Sequence, residues 1–244
     1  LGLAGVLAEI KEELPGPVRL VFQPAEEGVT GARSMVEAGV LDEADRLFGL
    51  HIGLEAKKTG ELYCGTGGFL ATSKLDVRYE GVAAHAGIEP QGGSNALLSA
   101  ATAVLNLQAI PRHGGGATRI NVGRMSAGSG RNVIPASAAL AVETRGETSE
   151  LNTYVRGYAE RILRGAAQMH GTRCTIVPTG EAESGDSDRE LMDVVHELAL
   201  EHGLFPRLMD EKALMKGSED VTHMMKRVQE SGGKATYMML GSDL

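Results

Sequence analysis

Residues 74 to 182 carry, in order, an alternating apolar and polar strand (KLDVRYEG), a helix (NALLSAATAVLNLQAI) and two consecutive strands (TRINVGRMSAG and ASAALAVETRGE) around the turn SGRNVIP. A long amphipathic helix (ELNTYVRGYAERILRGAAQMHG) and a closing strand (TRCTIVPTG) follow. This βαββαβ order builds a complete split-βαβ sandwich with its own core. It constrains the chain because a different texture flanks it on both sides. Before it come a helical stretch (LAGVLAEIKEEL), a turn at Pro15 and Gly16, a continuous apolar run (VRLVF), a glutamate-bearing loop and a helix through Met35 and Val36. A continuous apolar run of that length reads as a parallel strand buried on both faces. After it come the loop EAESGDSDRE, helices near Glu190–His202 and Asp220–Glu230, and the apolar strand ATYMML. The predicted fold is therefore an α/β domain over residues 1–73 and 183–244, interrupted by a βαββαβ domain over residues 74–182.

The loop after VRLVF raises the chemical question. FQPAEEG sets Glu26 beside Glu27, and like charges in one place raise each other's pKa unless a cation or proton compensates. Open α/β sheets build their sites at the carboxyl ends of parallel strands, where this loop is expected to lie. Neighbouring side chains on extended backbone point oppositely, so the two carboxylates can hold different roles. His51 ends a second short apolar run, FGLHIG, and an imidazole beside carboxylates suits zinc or manganese. A solvated acidic pair and a hydrogen-bonded core histidine are the alternatives that spacing alone leaves open.

Composition narrows the partner. With 24 Lys and Arg against 32 Asp and Glu, the net charge is −8, which argues against nucleic acid or an anionic membrane. No apolar run is long enough to span a bilayer, and no basic-then-apolar segment opens the chain. The expectation is a soluble, cytoplasmic protein acting on a small molecule. Cys64 and Cys174 lack metal-type spacing and read as structural thiols. Leu1 falls inside a helical pattern, which implies further residues upstream.

FQPAEEG, GLHIG, GVAAHAGIEPQGGSNAL, GRNVIP, VETRGE and GSEDVTHMM occur here in the order found in the family of dinuclear metal exopeptidases and amidohydrolases, which the whole chain resembles. The family includes aminoacylase, carboxypeptidase G, acetylornithine deacetylase and the auxin-conjugate amidohydrolases. The resemblance implies a zinc-exopeptidase-like catalytic domain with an inserted ferredoxin-like lid that also forms a homodimer or heterodimer. It matches Glu26 to the general base that deprotonates a metal-bridging water and later protonates the leaving amine. Glu27 and His51 match metal ligands. His85 matches a group that reaches a partner's site and steadies the oxyanion. Asn132 and Arg145, expected on neighbouring strand ends, match groups that converge on the substrate carboxylate. Gly217, Ser218 and Glu219 match a loop lining the cleft. The implied reaction is hydrolysis of the amide bond in N-acyl or N-aroyl amino acids with a free carboxylate, p-aminobenzoyl-glutamate being the leading candidate.

Other members carry further ligands before the position of Leu1 and after that of Leu244. The two divalent ions, Zn or Mn, are therefore expected only in a longer protein, and this chain is expected to be an inactive part of it. Cys64 and His223 lie outside the ligand motifs, and His113, His170, His196 and His202 read as turn or helix-surface residues. The alternative function is a metal-free, non-catalytic subunit or carboxylate-binding module of the same fold.

Overall fold

The structure, a computed structural model, describes residues 2–243. Leu1 and Leu244, from which further flanking segments are expected, lie outside the described residues. In chain order the elements are α1 (Gly2–Glu9), α2 (Gly31–Glu37), β1 (Arg46–Ile52), β2 (Glu61–Tyr63), β3 (Thr66–Gly67), β4 (Ala71–Glu80), α3 (Ala96–Leu107) and β5 (Thr118–Ala127). They continue with β6 (Ser137–Gly146), α4 (Ser149–Met169), β7 (Arg173–Ala182), α5 (Arg189–His202), β8 (Arg207–Met209), β9 (Ala213–Leu214), α6 (Val221–Glu230) and β10 (Lys234–Leu240).

Every strand and helix read from residues 74 to 182 is present, because period-2 alternation and helix caps act locally. The four strands form one antiparallel sheet in the order β5-β6-β4-β7. Leu75, Val77 and Tyr79 of β4 and Leu140 and Val142 of β6 point to one face, where Ala96, Ala100, Ala103 and Leu107 of α3 and Leu163 of α4 cover them. The alanines recur every three to four residues and let α3 approach closely. Asn95 caps α3 by accepting from the backbone N–H groups of Leu97 and Leu98, and Thr148 caps α4 by accepting from Leu151. The Tyr79 hydroxyl, buried in this core, donates to the Leu163 carbonyl at 3.0 Å.

The remaining elements form a second four-stranded sheet, β1-β10-β2-β8, and a short β3-β9 pair. Two expectations change here. The sheet is mixed, since β10 runs parallel to β1 but antiparallel to β2. VRLVF is not a strand, because no neighbouring strand offers it a ladder among the described residues. Val18, Leu20 and Phe22 are exposed, while Val21 packs beneath α2 and α6 with Ala32, Met224 and Val228. β1 alternates rather than being buried on both faces: Phe48, Leu50 and Ile52 are about half exposed, and Leu47 and His51 turn inward. Among the described residues no helix is long and apolar enough to cross a membrane.

Candidate functional site

Glu26 and Glu27 occupy a single 3-10 turn, Glu26–Gly28, rather than extended backbone at a strand end. The chain enters through Ala25 (φ 55°) and leaves through Val29 (φ 52°). Both are in the left-handed region, which costs a non-glycine residue about 1 kcal/mol or more. Contacts from both sides hold this conformation. The Asp220 carboxylate, fully buried just before α6, accepts from the Ala32 backbone N–H at 3.0 Å and from the Gln23 side-chain amide. One acidic group thus ties the loop's two flanks. On the opposite side the Glu181 backbone N–H of β7 donates to the Val29 carbonyl at 3.0 Å, and Lys74 Nζ of β4 donates to the Glu27 carbonyl at 3.1 Å. Gly180 makes the approach possible, because a Cβ there would lie 2.2 Å from the Gly28 carbonyl oxygen. In this turn Glu26 is half-buried and Glu27 exposed.

His51 points inward because β1 alternates. Its Nδ1 lies 2.8 Å from the Ile52 carbonyl, and a carbonyl only accepts, so Nδ1 carries the hydrogen. In the neutral ring Nε2 then presents a lone pair, and it faces Glu219 Oε1 at 3.8 Å. Glu219 is buried, and its carboxyl is pushed up to about 8 by that burial first and then by the facing Glu26 carboxyl and the charges of Asp220 and Glu27. Glu219 is thus crowded by the carboxyl groups of Glu26, Asp220 and Glu27, with the His51 imidazole beside it. Gly217 accepts from the Leu70 backbone through its carbonyl, and the buried Ser218 hydroxyl has no hydrogen-bond partner among the described residues.

Arg145 lies near the end of β6, on the face of the antiparallel sheet away from α3 and α4. Its Nε and Nη2 each donate to a different oxygen of Glu143, two residues earlier, at 3.1 Å. The Thr72 hydroxyl of β4 also reaches Glu143 at 3.4 Å. Glu143, though not Arg145, borders a recess of about 260 Å³ that is also lined by Lys74, Asp76, Asn121, Gly123, Ala141 and Thr179.

His85 and Asn132 belong elsewhere. The Ala86 backbone N–H donates to the Asn132 carbonyl at 3.0 Å, so their turns adjoin, and both residues are exposed. Asn132 precedes the start of β6, whereas Arg145 is one residue from its end. From Ser137 to Arg145 a strand rises roughly 27 Å. The two residues therefore do not converge on one carboxylate within a chain, which corrects the expectation of neighbouring strand ends.

Divalent-metal chemistry fits these donors in kind but not in number. The His51 lone pair, the charge-crowded carboxylates and the 3.8 Å gap to Glu219 are what an imidazole and carboxylate pair presents to a cation. Yet among the described residues no three His, Cys, Asp or Glu side chains come together closely enough to hold an ion. Cys64 and Cys174 are free thiols, with burial pushing Cys64 up to about 11. His223 bonds the Glu181 carbonyl and His196 pairs with Asp210. Asp220, Lys74 and Glu143 were not singled out by sequence. Asp220 lies within the GSEDVTHMM motif, and the other two carry no signal beyond strand alternation.

The model of peptidase family M20/M25/M40 matches residues 1–243. Indole-3-acetyl-aspartic acid hydrolase of Enterobacter agglomerans is 46% identical over 244 residues, covering all of this chain and 56% of that protein. One of the subunits of p-aminobenzoyl-glutamate hydrolase from Escherichia coli is 44% identical over 244 residues, again all of this chain and 56% of that protein. Among solved structures, an aminobenzoyl-glutamate utilization protein from Klebsiella pneumoniae superposes with a TM-score of 0.92 at 46% identity, covering 99% of this chain and 61% of that one. The chain thus spans a little over half the length of the curated relatives it matches, and the likeness read from its six motifs is borne out.

Proposed function

The chain belongs to peptidase family M20/M25/M40, and from that premise we propose that it serves in hydrolysing the amide bond of N-acyl or N-aroyl amino acids with a free carboxylate. The relatives named for p-aminobenzoyl-glutamate and indole-3-acetyl-aspartate support that substrate class, and p-aminobenzoyl-glutamate leads. The observation that carries the reading is the glutamate turn, which sets the Glu26 carboxyl against buried Glu219 with the His51 lone pair in the same corner. Glu26 takes the proton of the attacking water and returns it to the leaving amine, a transfer that suits a carboxyl in an acidic, partly buried setting. Glu27 and His51 are the chain's contribution to holding divalent metal, with zinc and manganese both suited to these donors. A metal held there, with further ligands, would polarise the scissile carbonyl. Arg145 holds the substrate carboxylate, and the loop Gly217, Ser218 and Glu219 lines the cleft.

In this reading residues 1–73 and 183–244 are the catalytic unit and residues 74–182 the lid. His85 and Asn132, at the far end of β6 from Arg145, then serve the site of a partner protomer, whether a second copy or a different chain. A second reading, a non-catalytic carboxylate-binding module, is favoured by one observation, that no three metal-holding side chains converge among the described residues. The experiment is Glu26→Gln in protein active on p-aminobenzoyl-glutamate. Turnover is expected to fall by about a hundredfold with metal content unchanged. Turnover near that of the parent removes Glu26 from the role, and a parent protein without activity on p-aminobenzoyl-glutamate favours the second reading.

A further inference from the structure

The family resemblance assigns nothing to Glu143, yet its placement is specific. Side-chain alternation puts Glu143 and Arg145 on the same face of β6, two residues apart, with both side chains about one-third exposed. The contact uses the side edge of the guanidinium, with Nε donating to Oε2 and Nη2 to Oε1. A guanidinium has five N–H donors in a fixed plane. Among the described residues Arg145 makes no other hydrogen bond, so both hydrogens of Nη1 and the outer hydrogen of Nη2 remain, and one from each nitrogen forms the end-on fork. Arg145 can therefore hold two carboxylates at once, one along its side and one at its end. Lys74, the register partner of Glu143 across β4, directs its ammonium to the Glu27 carbonyl instead. That contact also shows that this face of the sheet turns toward the glutamate turn.

We propose that Glu143 is a positioning residue that fixes the Arg145 fork with its end free for the substrate's carboxylate, so that the clamp is ordered before substrate arrives. The proposal rests on Arg145 being the carboxylate clamp. An arginine held in this way loses less side-chain freedom on binding than one swinging in water. Freeing it weakens capture of the carboxylate and leaves the chemical step alone. The alternative, that Glu143 occupies the clamp and must be displaced, conflicts with the side-on geometry and predicts the opposite sign.

The test compares kcat and KM for an N-aroyl-glutamate and for the same compound with its α-carboxylate esterified, in active protein carrying Glu143→Gln, Glu143→Asp or Arg145→Ala. Glu143→Gln keeps the side chain's shape but turns one prong from acceptor to donor. It is expected to raise KM for the free acid about five- to tenfold, with kcat and the ester's KM unchanged within about twofold. Glu143→Asp, which retains the charge on a shorter arm, falls between Gln and the parent. If Arg145→Ala weakens acid and ester equally, the clamp assignment falls. If Arg145→Ala is selective for the acid while Glu143→Gln is not, the clamp stands and the positioning role falls. A lower KM for Glu143→Gln than for the parent also overturns it, because Glu143 would then be a competitor. Thermal melting of each variant separates these outcomes from unfolding, and Asp alone carries the test if Gln does not fold.

Discussion

Replacing Gly180 with alanine should push the glutamate turn off its support. A Cβ at this position lies 2.2 Å from the Gly28 carbonyl oxygen, 2.8 Å from Val29 Cγ2 and 3.3 Å from Lys74 Cδ. A carbon to oxygen contact normally needs about 3.3 Å, so Gly28 must retreat by about 1 Å. Val29 is buried and Asp220 pins the far flank of the loop, so the retreat cannot be absorbed by sliding the whole segment. The 3.0 Å bond from the Glu181 backbone to Val29 is lost or stretched, along with the Lys74 contact to Glu27. Overpacking and that lost bond together cost about 2–4 kcal/mol. Because Glu26 and Glu27 directly precede Gly28, a shift of this size should also lower kcat/KM by about a hundredfold. Urea denaturation gives the stability change, and steady-state hydrolysis of an N-aroyl-glutamate by active protein gives the rate. Gly157→Ala is the control, since a Cβ there meets nothing within 4 Å and a mid-helix alanine should gain up to about 1 kcal/mol. A Gly180→Ala protein with stability within about 0.5 kcal/mol of the parent and rate within about twofold would refute the reasoning, because the loop would then not depend on its seat against β7.

Asp220→Asn keeps one acceptor but turns an N–H toward a donor, leaving one of Gln23 or Ala32 unpaired. Relief of the charge crowding around Glu219 offsets part of that loss, so unfolding free energy should fall by about 2–3 kcal/mol, and a denaturation loss under about 1 kcal/mol would mean the loop is tied elsewhere. Glu219 has its folded pKa raised from an ordinary carboxyl value of 4.5 to about 8. Its contribution to stability is therefore fully present below about pH 4.5 and is lost as pH rises through about 8. Chelator-treated protein should lose a few kcal/mol between about pH 4.5 and 8 from this group, and Glu219→Gln should flatten that part of the profile. Parallel profiles for the two proteins would show that Glu219 does not carry the charge strain.

Legibility followed the range of the interactions. Residues 74 to 182 were readable because Leu75, Val77, Tyr79, Leu140 and Val142 alternate against helices from the same stretch, so local pattern and tertiary burial agree. VRLVF was misread because an apolar run specifies burial, whereas a strand also needs a partner ladder, which lies outside the run itself. In the site, residue types were legible and convergence was not. Asp220 holds Ala32 across 188 positions and Gln23 across 197, and no local periodicity encodes such a tie. Arg145 and Asn132 show the limit most sharply. Sequence places each beside a strand boundary, but a boundary has the same turn-forming character at either end of β6. Only the register, with Arg145 opposite Thr72 and Asn132 beyond Ser137, reveals which end faces the glutamate turn. Once that register is fixed, a strand's length of roughly 27 Å separates the two groups. An assignment that gives both residues one substrate must then bring the second from another protomer, which follows from strand geometry without reference to any relative.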